Sequence, residues 1–431
     1  MSMEELARRV KGASLRLAAA GRDLKDKALA EIAKSLEEKK AEIIAANRED
    51  LARSERENLP APLLKRLRFD EEKIAGVIEG IRSLIQLEDP VGKTLLATGL
   101  DDGLELYKVT CPIGVIGIIF ESRPDALVQI ATLCLKSGNA VLLKGGSEAR
   151  ATNRVLADVV IGAAVKAGLP PDWAALLETR AEVNDLLKLD QYIDLIIPRG
   201  SNDFVRYIMD NSRIPVLGHA DGICHCYVDA EADLETAARI VLDSKVQYVA
   251  VCNALETLLV HEKVAPEFLP AIAELFAAHK VELRGCPQTR AFIPAVPATE
   301  EDWQTEYLDY ILAVKVVPGI EEAVAHINKY GSGHTESIVT ENKEKAGFFM
   351  DYVDAGSVFW NCSTRFSDGF RYGFGAEVGI STGKIHARGP VGLEGLVIYK
   401  YRLLGRGHLV ADYANHSRSF KHVRMERDFP L

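Results

Sequence analysis

Residues 113–147 read IGVIGIIFESRPDALVQIATLCLKSGNAVLLKGGS, and this stretch decides the fold class. Its apolar run Ile113–Phe120 is typical of a strand that is buried on both faces. Pro124 starts a helical pattern that ends at Gly138, and Ala140–Lys144 is a second short apolar strand. A strand, a helix and a strand in this order predict a right-handed crossover within a parallel sheet.

The same alternation continues along the chain and starts again near Leu234, which predicts a second α/β domain. Asp102-Gly103 lies between apolar flanks, and this is the signature of a β-hairpin. We therefore predict an α/β fold with two parallel-sheet domains and a small β-hairpin oligomerisation arm. The predicted parts are N-terminal helices and a cofactor domain at 1–228, with the arm at about 98–112, a catalytic domain at 229–375, and a return to the cofactor domain with an oligomerisation tail at 376–431. A homo-oligomer is expected.

Composition narrows the class of protein. The 431 residues are 48% hydrophobic and 26% charged, as is usual for a globular enzyme, and the net charge of -10 argues against binding to nucleic acid or to anionic membranes. The first residues are acidic and do not resemble a secretory signal, and no apolar run reaches the roughly 18 residues of a membrane span. Seven scattered cysteines are typical of reduced thiols, so a cytoplasmic protein is expected.

Cys252 is the residue with the clearest chemical meaning. It follows the small apolar segment Val249-Ala250-Val251 and precedes the strand-like run Thr257–Val260. A thiolate in such a turn suits attack on a carbonyl carbon, because neighbouring backbone N–H groups can hold the developing oxyanion. The alternative interpretation is a buried cysteine that acts as a small hydrophobic side chain.

Cys224-His225-Cys226, with His219 nearby, raises the question of a metal site. The segment is predicted to be a strand, so its successive side chains point to opposite faces. The two cysteines would then lie on one face and His225 on the other, which is poor geometry for chelation. The sequence therefore predicts no bound metal.

Two turns after predicted strands suggest a phosphate-binding site. The chain has neither G-x-G-x-x-G nor a Walker A sequence. Instead, Lys144 is followed by Gly145-Gly146-Ser147, and Arg199 is followed by Gly200-Ser201. Ligands of open α/β sheets bind at the carboxyl ends of strands, where helix N-termini offer amide donors. Together these turns favour a dinucleotide site, while each turn taken alone is also compatible with an ordinary loop.

Five motifs carry a resemblance to a known family. They are Glu121–Asp125, His219–Gly222, Val251–Thr257, Asn361–Phe366 and Phe374–Thr382, the last continuing through His386–Gly392. In layout and in these motifs the chain resembles the γ-glutamyl phosphate reductase family, also called glutamate-5-semialdehyde dehydrogenases, of the aldehyde dehydrogenase superfamily. The resemblance covers most of residues 1–402, and nothing is carried over to the tail after Tyr401.

The resemblance implies reduction of L-glutamate 5-phosphate by NADPH, which gives L-glutamate 5-semialdehyde and phosphate in proline biosynthesis. Cys252 matches the nucleophile that forms a thioester, and Ser122 is a second catalytic candidate that would hold the oxyanion. The residues matching cofactor contacts are Lys144, Ser147, Gly200, Ser201 and Glu306. The substrate carries a carboxylate and a phosphate, so cationic and amide donors are needed, and the candidates are Arg123, Asn253, Asn361 and Arg365.

Two departures from the wider superfamily refine this implication. Hydrolytic relatives carry a water-activating glutamate where this chain has Val216 or Leu217, and its absence fits exchange of the thioester with phosphate. Ser147 replaces a glutamate that would repel a 2′-phosphate, which favours NADPH. The alternatives are a hydrolytic NAD(P)-dependent semialdehyde dehydrogenase and an inactive scaffold or regulatory homologue. A glutamate kinase that supplies the labile acyl phosphate is a candidate partner.

Overall fold

The computed structural model describes residues 2–121 and 123–431. Its N-terminal part consists of helices α1 (Met3–Leu17), α2 (Arg22–Glu38), α3 (Lys40–Arg56), α4 (Ala61–Leu67) and α5 (Glu71–Gln86). Ser2 caps helix α1, because its hydroxyl accepts a hydrogen bond from the Glu5 amide at 3.1 Å. It buries Val10 and Leu17 on one face, as the helical spacing of its apolar residues predicts.

The next elements form the hairpin and the first parallel sheet. They are β1 (Thr94–Asp101), β2 (Leu104–Pro112), β3 (Val115–Phe120), α6 (Pro124–Lys136), β4 (Ala140–Lys144), α7 (Arg150–Ala167), β5 (Ala174–Leu177), α8 (Arg180–Leu186), β6 (Leu195–Arg199) and α9 (Asn202–Asn211). The first sheet has the order β5-β4-β3-β6 with parallel pairing. Ile116 and Ile118 pack in the core that contains α6 and α7, whereas Val115 and Ile119 pack in the core that contains α8. Helices thus cover both faces, as predicted.

The second sheet has seven parallel strands in the order β10-β9-β11-β8-β7-β12-β13. Its elements are β7 (Cys224–Val228), α10 (Leu234–Val246), β8 (Leu255–His261), α11 (Ala265–Ala278), β9 (Glu282–Gly285), α12 (Pro287–Phe292), β10 (Val296–Pro297), β11 (Ile311–Val317), α13 (Ile320–Tyr330), β12 (Thr335–Val339), α14 (Lys343–Tyr352) and β13 (Ser357–Trp360). Strand β7 precedes the predicted boundary at residue 228 yet pairs with β8 and β12, so the chain has already entered the second sheet there. The division into domains itself stays a prediction.

The tail returns to the hairpin. It contains β14 (Gly379–Ser381), β15 (Gly389–Val391), β16 (Val397–Leu404), α15 (Val410–Ala414) and β17 (Val423–Arg424). An antiparallel sheet of order β16-β2-β1-β17 results, and Gly103 adopts a φ of +77° in the hairpin turn. The hairpin therefore finds its partner strands within the same chain. Across the described residues, no helix is both long and apolar enough to cross a membrane.

The start of α7 is capped by a distant segment. Ser147 begins a short 3-10 turn, and Ala149, the residue that precedes α7, makes no side-chain capping hydrogen bond. The cap comes instead from Asp50 of α3, whose carboxylate accepts from the Thr152 amide at 2.8 Å and from the Thr152 hydroxyl at 2.7 Å. Arg53 also donates to the Ser147 carbonyl at 3.1 Å. A segment about a hundred residues away along the chain thus positions the turn after Lys144.

Replacing Asp50 should therefore destabilise the protein. Asp50→Ala removes a fully buried carboxylate and leaves the donors at the start of α7 and on Arg53 without it, so we expect a loss of about 2–4 kcal/mol in the free energy of unfolding. Urea denaturation followed by circular dichroism measures this loss. The exposed neighbour is the control, and Glu49→Ala should change stability by less than about 0.5 kcal/mol. Equal effects of the two substitutions would contradict the capping role.

Candidate active site

Two sheet edges meet at the reactive residues. The carboxyl ends of β3, β4 and β6 lead to Glu121, Lys144 and Arg199, and the amino ends of β7, β8 and β12 follow Gly222, Cys252 and His334. Asn202, at the start of α9, connects the two sides, because its Nδ2 donates to Glu306 Oε2 at 2.6 Å and to Asp221 Oδ1 at 3.1 Å. The predicted nucleophile and the predicted Gly-Ser turn are thereby brought into one site.

Cys252 lies in the turn between α10 and β8, and its side chain is half-buried. The backbone at Gly222 approaches so closely that a Cβ there would lie 2.5 Å from Cys252 Cα. Cys224 Sγ donates to the Cys252 carbonyl oxygen at 3.2 Å from the adjacent strand. The position of Cys252 is therefore set by backbone contact with the segment that precedes β7.

The charges around Cys252 do not favour a free thiolate. Burial raises the pKa of the Cys252 thiol to about 12, and the negative charges of Glu306 and Glu377 act in the same direction. The positive charge of Arg199 lowers this pKa but does not outweigh them. The thiol is therefore protonated near neutral pH, so its activation requires a proton acceptor.

Two histidines accompany Cys252, and the sequence analysis had not grouped them with it. One ligand atom each of His219, Cys252 and His334 lies within 4.8 Å of the other two. The histidine rings meet edge to face, with their centroids 5.0 Å apart. Burial lowers the pKa of both rings, so both imidazoles are neutral near pH 7. Only the pairing of β7 with β8 and β12 brings these three segments together.

The Cys224-His225-Cys226 segment lies in β7, as predicted. His225 Nδ1 lies 2.9 Å from Glu336 Oε2, and both side chains are fully buried. Cys224 Sγ lies 3.8 Å from His334 Nδ1, behind the group formed by His219, Cys252 and His334. His219 therefore belongs with Cys252 and not with the cysteines that flank His225.

The predicted cofactor residues line the edge of the first sheet. Lys144 is buried at the end of β4, where its ammonium donates to the Gly145 carbonyl, and Ser147 is exposed. The Ser201 amide donates to Glu121 Oε2 at 3.2 Å, and a Cβ at Gly200 would lie 2.6 Å from the same oxygen. Glu306 reaches this edge through its contact with Asn202. The structure thus brings Gly200 and Ser201 close to Glu306, while Lys144 lies two strands away from β6.

The predicted substrate residues occupy different environments. Asn253 donates through Nδ2 to the Ser367 carbonyl at 2.7 Å, and its buried Oδ1 has no partner among the residues that the structure describes. Asn361 adopts a φ of +54° and uses both polar atoms of its amide on the Thr340 backbone, at 2.9 and 3.0 Å. The Asn361 side chain therefore stabilises the backbone after β13 by these hydrogen bonds. It is a weaker candidate for binding the substrate than Asn253.

Cationic side chains surround the nucleophile. Arg365 is buried, and its Nε donates to Gln247 Oε1 at 3.0 Å. Burial lowers the pKa of its guanidinium, and a thiolate at Cys252 would raise it. Arg199 was not among the predicted substrate residues, yet its charge also reaches Cys252. Arg123 is exposed before α6 and close enough for its charge to act on Arg199. Ser122, the second predicted catalytic residue, lies outside the described residues.

Val216 or Leu217 stands where the resemblance places the base of hydrolytic relatives, and both side chains are apolar. Val216 pairs with Ile196 in an isolated bridge, and Leu217 is fully buried. The carboxyl groups whose charges act on Cys252 are those of Glu306 and Glu377, and the second accepts a hydrogen bond from the Gly369 amide at 2.9 Å. Both are engaged in contacts that hold them.

Comparison with known proteins agrees with this geometry. The model of the aldehyde dehydrogenase family matches residues 7–296. The chain is 73% identical to the gamma-glutamyl phosphate reductase of Pelotomaculum thermopropionicum, over all of this chain and 99% of the relative, and 70% identical to that of Acetivibrio thermocellus over both full lengths. A crystal structure of gamma-glutamyl phosphate reductase from Thermotoga maritima is 43% identical, with a TM-score of 0.93 over 95% of this chain and 100% of that one. The chain therefore belongs to the aldehyde dehydrogenase family and, within it, to the gamma-glutamyl phosphate reductases.

The contact at Gly222 gives a direct test of the site. In Gly222→Ala the new Cβ would overlap the Cys252 backbone, so this turn must shift, and we expect at least a hundredfold loss of kcat, since misplacement by about 1 Å can cost that much. Enzyme assays and circular dichroism measure activity and folding separately. Gly162→Ala is the control, since no described heavy atom lies within 4 Å of its added Cβ, and it should keep full activity. Normal activity of Gly222→Ala would show that the approach does not position Cys252.

Proposed function

We propose that this chain, as a member of that family, reduces L-glutamate 5-phosphate to L-glutamate 5-semialdehyde and phosphate with NADPH, in proline biosynthesis. The supporting observation is the environment of Cys252, whose thiol lies near guanidinium groups. In addition, positions 216 and 217 carry apolar residues, which cannot act as a base. Two relatives that are 73% and 70% identical to this chain bear the corresponding name, and the matches cover 99% and 100% of their lengths.

The first half of the reaction belongs to Cys252. The thiol loses its proton, for which the neutral imidazoles of His219 and His334 are the acceptors in reach. The sulfur attacks the acyl carbon, the bond from carbon to the phosphate oxygen breaks, and a thioester and inorganic phosphate result. The leaving phosphate takes up the proton that the thiol released. The Cys252 backbone N–H and the Ser122 hydroxyl are proposed to hold the oxyanion of the tetrahedral intermediate.

The second half returns the thiol. When bound, a nicotinamide dinucleotide would supply the hydride that reduces the thioester carbon, and Glu306 would hold its nicotinamide ribose. The carbon–sulfur bond then breaks as the oxyanion collapses, which releases the aldehyde and leaves Cys252 as a thiolate, and the thiolate takes up a proton from solvent to restore the thiol. Positions 216 and 217 are apolar and Glu306 and Glu377 are held by hydrogen bonds, so none of these four positions offers a free carboxylate that would activate water.

The charges of the site suit a dianionic substrate. Arg365 and Arg199 act on Cys252 from within the site, and Arg123 lies near Arg199. Guanidinium groups bind phosphate and carboxylate oxygens in a bidentate manner, so these three arginines are the proposed anchors of the substrate's phosphate and α-carboxylate. Asn253 adds a buried amide oxygen that is suited to the substrate's ammonium group.

The first sheet offers the features that a dinucleotide needs. Lys144 ends β4, the buried Asn153 Oδ1 has no hydrogen-bond partner within the described part of the chain, and Gly200-Ser201 precede the N-terminus of α9. Lys144 and Ser147 are proposed to hold the adenosine ribose, Gly200 and Ser201 the pyrophosphate, and Glu306 the nicotinamide ribose. No carboxylate stands at position 147, so a 2′-phosphate meets no repulsion from that side chain.

We also propose an oligomeric state, a location and a partner for the protein. Strand β16 exposes Tyr399, Tyr401 and Leu403 beside the hairpin, which supports a homo-oligomer that forms through this sheet. A cytoplasmic location fits the free cysteines. A glutamate kinase remains the proposed partner, because an acyl phosphate hydrolyses readily and benefits from direct transfer.

The reverse reaction should depend on inorganic phosphate. With glutamate semialdehyde and NADP in phosphate-free buffer, the thioester on Cys252 has no efficient acceptor, so NADPH formation followed by absorbance should stop after about one turnover per site. Phosphate or arsenate should restore steady turnover, and Cys252→Ser should show neither phase. Sustained turnover to glutamate without phosphate would instead support the hydrolytic dehydrogenase, with Glu306 or Glu377 as its base.

The preference for NADPH should depend on position 147. In Ser147→Glu a carboxylate stands where it would repel a 2′-phosphate and accept hydrogen bonds from a free ribose, so kcat/KM for NADPH should fall and that for NADH should rise, each by about tenfold. Ser147→Gln is the matched control, because it has the same size without the charge. An unaltered ratio of the two kcat/KM values in Ser147→Glu would contradict the placement of the adenosine ribose.

A further inference from the structure

The group formed by His219, Cys252 and His334 has a second chemical capacity. Its three ligand atoms lie within 4.8 Å of one another and come from the segments that precede β7, β8 and β12. Two nitrogens and one sulfur in such a cluster are a donor set that Zn²⁺ and other borderline-soft divalent cations bind strongly. Each segment is anchored by its own strand, so the cluster is largely formed before any ion arrives.

The hydrogen bonds of the two rings leave one nitrogen of each available. His219 Nδ1 lies 2.9 Å from the Ile380 carbonyl oxygen, so this nitrogen carries the proton of the neutral ring and Nε2 keeps its lone pair. His334 Nδ1 lies 2.8 Å from Thr335 Oγ1. His334 is only 1% exposed, and its Nε2 has no partner within residues 2–121 and 123–431. A buried ring nitrogen without a partner is costly, and a bound cation would satisfy it.

We propose that Cys252, His219 and His334 bind a soft divalent cation such as Zn²⁺, and that this ion reversibly blocks the nucleophile. The sulfur and the two ring nitrogens each donate one electron pair, the thiol proton passes to solvent, and no redox change occurs. The half-buried Cys252 leaves a path for the ion and an open fourth position for water.

The distances and charges are compatible with such an ion. Ligand atoms around tetrahedral zinc are about 3.3–3.8 Å apart, as bond lengths of 2.0–2.3 Å require. Side-chain rotations of Cys252 and the half-buried His219 can close the cluster from 4.8 Å to this spacing. The negative charges of Glu306 and Glu377 that act on Cys252 favour a cation, and Arg199 and Arg365 oppose it. The blocking effect rests on the proposed function, whereas the binding does not.

Cobalt spectroscopy tests the site directly. The full-length protein is freed of metals with a chelator, kept anaerobic and titrated with Co²⁺, and a thiolate-to-cobalt charge-transfer band should appear and saturate at one ion per chain. Zn²⁺ should displace Co²⁺, whereas Mg²⁺ should not, because it prefers oxygen ligands. Absence of the band in the wild-type protein would overturn the proposal.

Variants assign the ligands. Cys252→Ala should abolish the band, and His219→Gln and His334→Gln should each weaken Zn²⁺ binding by at least about tenfold in calorimetric titrations. His219→Gln is decisive if the buried His334 variant fails to fold. Cys111→Ser and His279→Gln replace a half-buried thiol and an exposed histidine elsewhere, and both should bind as the wild type does. Zn²⁺ binding that survives Cys252→Ala would place the ion elsewhere and refute the site.

Measuring the inhibition of reductase activity by Zn²⁺ tests the blocking role separately from the reductase function. Zn²⁺ should abolish reductase activity in proportion to occupancy, and a chelator should restore it fully. Activity that persists at full occupancy would refute the blocking role. If the protein shows no reductase activity with L-glutamate 5-phosphate, the proposed function fails, yet the cobalt band and its loss in Cys252→Ala still decide whether the cation site exists.

Discussion

The close approach of the Gly222 backbone to that of Cys252 is the contact on which the reactive end of the molecule depends. A Cβ at residue 222 would lie 2.5 Å from Cys252 Cα, so only glycine allows the two segments to touch. The same contact joins the segment before β7 to the turn before β8, and this brings His219 to the thiol. The nucleophile is therefore placed by backbone packing between neighbouring strands, while the side chains around it tune its chemistry.

A buried ion pair supports the other side of the site. Lys245 Nζ lies 2.6 Å from Glu256 Oε2, and both side chains are fully buried. Glu256 also accepts a hydrogen bond from the Leu308 amide at 3.3 Å, in the loop that carries Glu306. Glu306 in turn reaches Asn202 on the first sheet. Because a buried charge needs its partner, this chain of contacts holds the loop firmly and keeps Glu306 within reach of Cys252.

The local environment of Cys252 explains why its thiol stays protonated near neutral pH. Burial and two carboxylates raise its pKa, and the guanidinium of Arg199 opposes them. An anionic substrate adds negative charge near Cys252 and offsets the positive charge of the arginines. The neutral imidazoles can accept the proton that the Cys252 thiol loses. The same features that make the thiol a controlled nucleophile also make the cluster a suitable set of metal ligands, since both chemistries use the lone pairs of neutral nitrogen and ionised sulfur.

Sequence alone was sufficient for the fold class and for most strands and helices, because periodicity and glycine punctuation are local signals. It also singled out Cys252, whose role as the nucleophile stays a prediction. It also indicated the apolar residues at 216 and 217. It could not group His219 and His334 with Cys252, give Asn361 its backbone contacts or reveal Arg199 and the cap from Asp50. These depend on which strands become neighbours in the sheets, and that order follows from the packing of segments tens to hundreds of residues apart, which no local pattern encodes.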